Sequence, residues 1–302
     1  LSKGISWITF QNECAAIRID DQLCKQGKGI TLYSSFKQNL KGDKIYTVFE
    51  DSEGDEWILT NKGISIIGKK QVDSDFPFQY IKEADGIIYL VSQSDKLASY
   101  NFKTRQFKFI EIPYHVSMIN EVKKFDSNTL LLATDNGLII YKIKEKEFQL
   151  IDIRTSTQPS NVVQSVYQDH YKELWIFPQT TGVIRYNPST KEMQHLFTPA
   201  DEVIRYERKN KNVIFEDRQH TLWVLPPEGN LSYYDRENKE LKPMLKDSNN
   251  PKSVFSPLVR FYTLDNQGNC WLTSTRGIYK LSFFPHTYNL VHIDNGFETR
   301  AF

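Results

Sequence analysis

A hairpin signal recurs along the chain and constrains the fold more than any other feature. In its clearest form an Asp begins a turn, a Trp follows at the start of an apolar strand, and a Gly opens the next strand, as in Asp265, Trp271 and Gly277. This order of residues is typical of a β-hairpin. Because the pattern returns at intervals, it indicates a repeat protein made of antiparallel strands.

The large residue after each turn marks the centre of one unit. These centres are Trp7, Trp57, Tyr89, Leu131, Trp175, Trp223 and Trp271. A turn Asp precedes all but the first: Asp51, Asp85, Asp126, Asp169, Asp217 and Asp265. Units of roughly 40–50 residues with several short strands are typical of β-propeller blades. The unit around Tyr89 has a shortened turn, and we expect it to be small or irregular.

One unit shows how the strands follow each other. Residues 45–49, 56–60 and 63–67 are predicted to be the first three strands of a blade, with a turn at Asp51. Fourth strands are clearest at residues 107–110, 148–151 and 288–291. No segment keeps a long helical period. The sequence therefore predicts an all-β chain with four-stranded antiparallel blades.

The two ends of the chain complement each other. Trp7 lies in a predicted second strand without a first strand before it, and residues 297–302 form a predicted first strand without a second. Pairing them would complete one blade and leave no open sheet edge. We therefore expect a seven-bladed β-propeller, closed by the C-terminal strand, as a single domain over residues 1–302. Because both ends fall inside elements, we interpret the chain as a fragment of a longer multidomain protein.

Composition and motifs disfavour several functions. The formal net charge of +1 argues against a nucleic-acid-binding surface. The chain lacks an apolar run of about 20 residues, so we expect no membrane span in it. The His residues have no metal-ligand spacing, and the turn at residues 51–56 carries only part of a calcium-loop pattern. Without a nucleophile elbow or a phosphate-binding loop, we predict no catalytic residue, no metal and no cofactor.

The repeat resembles a known family. The pattern Asp-x-x-Gly-x-Leu/Cys-Trp-Ile/Leu, followed by Gly-Leu/Ile and Tyr-Asn/Asp, is similar to the two-component-regulator propeller repeat of Bacteroides-type hybrid two-component systems. The Asn-, Pro- and Ser-rich segments at residues 156–161 and 248–254 resemble the connections of that repeat. The likeness covers most of the chain and is strongest at Trp57, Trp175, Trp223 and Trp271.

This resemblance implies a function and a setting. Such repeats build the periplasmic sensor region of hybrid histidine kinases, which detect oligosaccharides from polysaccharide breakdown. The family implies a second propeller, further sensor domains and a kinase in the same chain, and a homodimer at full length. It also implies that this chain is not itself an enzyme. Two alternatives remain open: a structural or protein-interaction propeller without its own ligand, and a propeller-fold carbohydrate-active enzyme.

The start of each first strand is the place where we predict ligand contacts. The residue five positions before each turn Asp is polar or aromatic, whereas the next residue along is apolar in most of these strands. These candidate residues are Tyr46, Tyr80, Glu121, Gln164, Asn212 and Arg260, with Arg300 at the matching place in the closing strand. In a ring they would surround one mouth of the central channel. Aromatic faces and two guanidinium groups there would suit a sugar, or an acidic sugar.

The loops between second and third strands supply weaker candidates. We expect these loops to open on the same face as the mouth. Their candidate residues are Lys62, Asn136, Gln179 and Arg276. Exposed loops are polar in most proteins, and a channel mouth tolerates any polar residue. Ordinary solvent exposure is therefore the alternative explanation for the polar character of both sets of residues.

Overall fold

The fold is described from a computed structural model of the 302-residue chain. The described residues are 5–9, 15–20, 30–34, 40–42, 44–68, 72, 74–84, 86–92, 94–156, 158–180, 182–197, 212–225, 231–243, 259–265, 268–274, 277–284 and 287–293. For the strands within residues 5–34, and for residues 259–261, 274 and 284–293, the description covers the backbone only. The chain divides into two compact units, Leu1–Asp152 and Ile153–Phe302, and each is described by itself.

The first unit contains fourteen strands in its described part. They are β1 (Ile5–Thr9), β2 (Ala15–Asp20), β3 (Ile30–Ser34), β4 (Ile45–Glu50), β5 (Glu56–Thr60), β6 (Gly63–Ile67), β7 (Tyr80–Ala84), β8 (Ile87–Val91), β9 (Leu97–Asn101), β10 (Gln106–Ile110), β11 (Ile119–Asp126), β12 (Thr129–Thr134), β13 (Gly137–Lys142) and β14 (Glu147–Ile151). Their antiparallel sheets follow chain order as β1 to β3, β4 to β6, β7 to β10, and β11 to β14.

The second unit continues the same succession. Its strands are β15 (Val163–Gln168), β16 (Leu174–Pro178), β17 (Val183–Tyr186), β18 (Met193–Leu196), β19 (Val213–Glu216), β20 (Leu222–Leu225), β21 (Ser232–Asp235), β22 (Glu240–Pro243), β23 (Val259–Leu264), β24 (Cys270–Ser274), β25 (Gly277–Phe284) and β26 (Thr287–Ile293). They form four-stranded antiparallel sheets of β15 to β18, β19 to β22, and β23 to β26.

These sheets confirm the predicted all-β fold with four-stranded antiparallel sheets. The three strands predicted at residues 45–49, 56–60 and 63–67 are β4, β5 and β6, and the predicted fourth strands are β10, β14 and β26. The structure describes only three strands in each of the sheets β1 to β3 and β4 to β6. Residues 294–302, which we expect to close the ring, lie outside the described residues, so closure and the number of blades stay predictions.

Burial along the strands follows their order within a sheet. The second strands β12, β16 and β20 are buried at every position, because both of their faces are covered. A strand covered on both faces is expected to be apolar throughout, as Leu-Trp-Ile-Phe-Pro of β16 is. The fourth strand β10 is largely exposed. The core therefore lies between sheets, and the fourth strand β10 lies at the surface.

A carboxylate lock fixes the turn between first and second strands in four sheets. The Asp Oδ2 atom accepts a hydrogen bond from the indole Nε1 of the Trp six residues later. The pairs are Asp51 with Trp57 at 2.7 Å, Asp169 with Trp175 at 3.0 Å, Asp217 with Trp223 at 2.9 Å, and Asp265 with Trp271 at 2.9 Å. The Oδ1 atom accepts the backbone N–H four residues on, as from Asp55 at 3.0 Å. Asp and Trp are therefore both required, since each satisfies the buried polar group of the other.

The repeated Trp side chains belong to the core. Trp57 and Trp175 are fully buried, and Trp223 is 8% exposed. Tyr89 and Leu131 fill the corresponding places in the sheets β7 to β10 and β11 to β14, and both are buried. Because these side chains are buried in the core, they are not the residues that a ligand would meet.

The sheet around Tyr89 is more regular than the sequence predicts. It has all four strands, β7 to β10, with five residues in each. Its irregularity is confined to the first turn, where β7 and β8 pair from Ala84 and Ile87 onward, with only two residues between them. A turn this short has no room for the Asp lock, and Tyr89 replaces Trp at the strand.

The third residue after each lock Asp has a left-handed backbone. This residue is Gly54 (φ 86°), Lys172 (φ 65°), His220 (φ 60°) or Gly268 (φ 80°). Left-handed backbone costs an L-residue about 1–2 kcal/mol, whereas Gly adopts it freely. A Cβ at Gly54 would meet no atom within 4 Å, so backbone strain is the only cost of a side chain there.

We therefore expect opposite effects from two substitutions at this turn position. Gly54→Ala should lower the free energy of unfolding by about 1 kcal/mol, and Lys172→Gly should raise it by roughly 0.5–1 kcal/mol. Urea denaturation followed by far-UV circular dichroism measures both. Lys172→Ala is the control, because it removes the exposed side chain and keeps the strained backbone. A gain in Lys172→Ala equal to that in Lys172→Gly would contradict the explanation.

Glutamates connect neighbouring sheets at the same end as the locks. In the first unit Glu83 at the end of β7 accepts the backbone N–H of Ser52, at 2.9 Å, from the turn of the preceding sheet. In the second unit Glu216 at the end of β19 accepts the backbone N–H of His170 at 2.9 and 3.0 Å. The first strands β4 and β7, and β7 and β11, also contact each other. Within each unit the sheets therefore stand side by side, with their first strands adjacent.

Candidate functional site

The first strands share a β-bulge near their start. The pairing with the second strand skips one residue in β4, β11, β15 and β23; the skipped residues are Tyr46, Asn120, Gln164 and Arg260. A bulge leaves one residue outside the ladder and redirects its side chain, and bulges are frequent next to binding sites. Three of the predicted residues, Tyr46, Gln164 and Arg260, lie at this position.

The loops between second and third strands lie beside these strand starts. In the sheet β4 to β6, the Asn61 N–H donates to the carbonyl oxygen of Lys44 at 3.1 Å, just before β4. The Gln179 N–H donates to the Val162 carbonyl oxygen at 2.9 Å, just before β15. Asn136 Nδ2 reaches the His115 carbonyl oxygen at 2.9 Å. Each loop and the start of its own first strand thus form one edge of the sheet.

The first-unit candidates differ in what their side chains do. Tyr46 is half-buried, with Lys44 Nζ 5.5 Å from its ring centroid. The Tyr80 hydroxyl donates to the Asn120 carbonyl oxygen at 2.6 Å, and burial, followed by the charge of Glu121, raises its pKa. Glu121 Oε1 lies 3.1 Å from Lys123 Nζ. Lys62 is an exposed loop residue. The hydroxyl of Tyr80 therefore has a structural partner, whereas the ring of Tyr46 is partly open.

The second-unit candidates are placed as follows. Gln164 and Gln179 are exposed, and Asn212 Nδ2 donates to Ser165 Oγ at 3.2 Å from just before β19. Arg260 is described by its backbone only, as the bulge residue of β23. Arg276 and Arg300 lie outside the described residues. Of this set, Gln164 has the bulge position and an exposed side chain.

Strand pairing places two sheets one residue away from the predicted register. In β7 and β11 the residues equivalent to Tyr46 are Gln79 and Asn120, while Tyr80 and Glu121 pair with the second strand. The turns explain the shift, because Asp85 and Asp126 stand four and five residues before Tyr89 and Leu131, instead of six. That shorter spacing is the sequence signal that could have found Gln79 and Asn120.

A buried network of charges lies at the opposite end of β15, around the Asp169 turn. Glu173 accepts hydrogen bonds from Arg185 Nε at 2.9 Å, from Arg185 Nη2, and from Arg236 Nη1 at 3.0 Å. Arg236 Nη2 donates to Asp169 Oδ2 at 2.7 Å, and its guanidinium carbon lies 3.9 Å from the ring centroid of Tyr171. Because each carboxylate oxygen has a donor, the network binds two sheets together rather than presenting a reactive group.

The two arginines of the network favour the ionised form of the Glu173 carboxylate. Burial would raise the pKa of Glu173, but the hydrogen bonds and charges of Arg185 and Arg236 outweigh it and hold the pKa below its usual value. The pKa of Arg185 is raised, first of all by its hydrogen bonds to Glu173.

Two further features of the described ranges concern groups of metal ligands and helices that could span a membrane. The structure groups no three His, Cys, Asp or Glu residues there in a way that could hold a metal ion. Asp51, the best residue of the calcium-like turn, uses both oxygens on Trp57 and the turn backbone. His170 and His220 stack with ring centroids 3.7 Å apart. Over the same ranges, no helix has the length and apolar character needed to cross a membrane.

Comparisons with known proteins give distant matches. No protein-family model matches this chain. Histidine kinase P4 of Formosa agariphila is 22% identical over 196 residues, which cover 65% of this chain and 12% of that kinase. Virginiamycin B lyase from Staphylococcus aureus superposes with a TM-score of 0.59 at 15% identity, over 91% of this chain and 89% of the lyase. The extracellular domain of a putative hybrid two-component system from B. thetaiotaomicron gives a TM-score of 0.47 at 19% identity, over 92% of this chain and 36% of that chain.

These matches fix the fold more firmly than the function. The likeness to the lyase is a likeness of fold alone, so it carries no catalytic residue into this chain. The chain spans only 12% of the kinase, and the activity of that whole protein is not evidence of the activity of this part. Membership of the two-component-regulator repeat family stays a prediction.

Proposed function

We propose that this chain is the ligand-recognition propeller in the periplasmic sensor region of a hybrid two-component histidine kinase. Its ligand would be an oligosaccharide from polysaccharide breakdown. The observation that carries the proposal is the match of 65% of the chain to a histidine kinase. The described part of this chain is built from repeated antiparallel sheets, so the matched region is interpreted as a sensor part rather than the kinase part. The sequence resemblance to sensor repeats supports the same conclusion.

The proposal includes a complete ring. Seven blades would close by pairing residues 297–302 with the N-terminal sheet, over a single domain of residues 1–302. The rest of the longer chain would supply a second propeller, further sensor domains, a membrane helix and the kinase. The full-length protein would act as a homodimer, and this part of it would lie outside the cytoplasm without enzymatic activity, metal or cofactor.

The mouth chemistry suits a carbohydrate. An aromatic face such as that of Tyr46 packs on the apolar face of a sugar ring, and Lys44 beside it supplies a donor. Gln164 offers an exposed amide at the equivalent bulge. Arg260 and Arg300 would add guanidinium groups for a carboxylate or sulfate. Because bulges hold Tyr46, Gln164 and Arg260 outside the ladder, a ligand can contact them without breaking strand pairing.

Signalling would follow from differential binding. A rigid propeller does not itself need to change shape; the ligand must contact it differently in two arrangements of the dimeric sensor. The difference between the two affinities then sets the bias on the kinase. In the resembling family a ligand can also bind between two propellers, and this chain would then hold one half of the site.

A glycan array tests the proposal. We expect the chain to bind a defined oligosaccharide, and Tyr46→Ala and Gln164→Ala each to weaken that binding by roughly five- to tenfold. Tyr171→Ala and Gln106→Ala are matched controls, since they remove exposed Tyr and Gln side chains that lie away from the starts of the first strands. Equal losses in mouth and control variants would contradict the site.

Two outcomes would favour the other interpretations. If no oligosaccharide binds to this chain while a longer chain with the second propeller does bind, this propeller is a structural or protein-interaction domain. If the chain cleaves a glycan, and one substitution of an acid or His abolishes turnover, it is an enzyme. For an acidic ligand, Arg260→Ala and Arg300→Ala should each weaken binding; unchanged affinity in both would remove the arginines from the site.

A further inference from the structure

Two lysines occupy one register of adjacent first strands. In the four sheets with the Asp lock, the residue paired opposite the Trp is uncharged: Phe49, Tyr167, Phe215 or Thr263. In the two four-stranded sheets without the lock, it is Lys82, opposite Tyr89, and Lys123, opposite Leu131. Those two sheets are consecutive, and β7 contacts β11. The first unit therefore has a positive pair at a position where the four locked sheets have an uncharged residue.

The direction of the side chains follows from hydrogen bonds two residues earlier. Thr47 Oγ1 on β4 donates to the Gln79 carbonyl oxygen at 2.7 Å, and Tyr80 on β7 donates to the Asn120 carbonyl oxygen. Residues at these positions thus reach toward the first strand of the next sheet. Lys82 is two residues after Tyr80, on the same face of β7. It therefore extends toward β11, which carries Glu121 and Lys123.

The charges in this group do not balance. Lys123 Nζ lies 3.1 Å from Glu121 Oε1, so the one carboxylate is already paired. Lys82 is half-buried, and its ammonium makes no hydrogen bond or ion pair with the residues that the structure describes. Burial and then the charge of Lys123 lower its pKa, and Glu121 compensates only in part. A half-buried cation that must share one carboxylate with a second lysine is costly, and an added anion would relieve that cost.

We propose that Lys82 and Lys123 form an anion subsite on the first-strand wall of the first unit, for the carboxylate or sulfate of an acidic oligosaccharide. The anion would accept hydrogen bonds from both ammonium groups. Because Glu121 competes for Lys123, an anion that binds lysine only weakly would not displace it. Such charge-assisted hydrogen bonds are the strong ones. The acidic-sugar part rests on the proposed function, whereas the anion subsite does not.

Competitive labelling tests the subsite on the unmodified chain. Trace acetic anhydride labels neutral amines, and mass spectrometry gives the rate for each lysine. The probes are sodium sulfate and trigalacturonate, with maltotriose as the uncharged comparison. At a probe concentration about ten times its Kd, we expect labelling of Lys82 to slow by about tenfold. Labelling of Lys103, an exposed lysine in the turn before β10, should not change. Slowing by sulfate alone, by trigalacturonate alone or by both identifies the source of the anion.

Two glutamate variants sharpen the test. Glu121→Gln removes the competing carboxylate and should tighten anion binding roughly fivefold. Glu111→Gln, at an exposed site before β11, should leave it unchanged. Equal slowing at Lys82 and Lys103, or the same affinity in Glu121→Gln as in wild type, would overturn the subsite.

The subsite and the sensor proposal fail separately. Sulfate protection of Lys82 in a chain that binds no glycan would support the subsite and count against the oligosaccharide ligand. Binding of a neutral glycan that is insensitive to Lys82→Met, together with unprotected Lys82, would support the sensor and overturn the subsite.

Discussion

Asp51→Ala should lower the free energy of unfolding by about 3 kcal/mol, although it removes a single short side chain. The carboxylate accepts hydrogen bonds from Trp57 Nε1 at 2.7 Å, from the Glu53 N–H at 2.9 Å and from the Asp55 N–H at 3.0 Å. Because Trp57 is fully buried, its indole N–H would lose its partner without access to water. Urea denaturation followed by Trp fluorescence measures the loss.

Asp126→Ala is the matched control for this prediction. Asp126 also begins a turn between first and second strands, but it is exposed and accepts one hydrogen bond, from the Asn128 N–H at 2.7 Å. Its loss should cost less than about 1 kcal/mol. Trp57→Phe tests the pairing itself: in the double variant Asp51→Ala with Trp57→Phe the costs should be less than additive. Similar losses for Asp51 and Asp126 would show that the lock is not what stabilises the turn.

Glu173→Gln should destabilise the second unit by about 3 kcal/mol. The change keeps the size of the side chain but removes the charge that two guanidinium groups share. Arg185 would remain with a side chain only 11% exposed and without its bidentate partner. Arg236 would keep Asp169 alone. Thermal unfolding and urea denaturation both report this loss.

Glu192→Gln is the control, because Glu192 lies 3.9 Å from Arg185 Nη1 with a side chain 47% exposed. Its loss should stay within about 0.5 kcal/mol. If both glutamate variants have the same stability, the network does not stabilise the fold.

The same network predicts a pH dependence. The pKa of Glu173 is lower in the folded chain than its ordinary value of about 4.3. A lowered pKa contributes stability above the unfolded value, and this contribution is lost as pH falls through the folded value. The difference in unfolding free energy between wild type and Glu173→Gln should therefore be complete at pH 7 and narrow below pH of about 4.3. A difference that is the same at pH 7 and pH 3 would contradict the assignment.

The repeat could be predicted from the sequence because its physical cause is local. An Asp, a left-handed turn position and a Trp lie within seven consecutive residues, and all the lock bonds are made inside that stretch. The order of strands within each sheet could be predicted as well, because each strand pairs with the next strand along the chain.

The details that depend on distant residues were not predictable in this way. Asp169 and Arg236 are 67 residues apart, and the sequence around neither residue indicates that the two side chains form an ion pair. Counting five residues back from the turn Asp reaches the bulge residue where the turn has its full length, at Tyr46 and Gln164. The same count reaches the following residue at Tyr80 and Glu121, because a shorter turn changes the number of residues between the Asp and the start of the strand. Whether these residues bind a ligand stays a prediction. Lys82 and Lys123 became visible only when strand pairing put them at one register.

Isothermal titration calorimetry with a panel of neutral and acidic oligosaccharides measures whether this chain binds a glycan. We expect saturable heat with at least one oligosaccharide, no release of cleaved product, and an affinity that falls in Tyr46→Ala and Gln164→Ala but not in Tyr171→Ala. Heat with none of the panel, or cleavage of the bound glycan, would show that this chain is not the proposed ligand-recognition propeller.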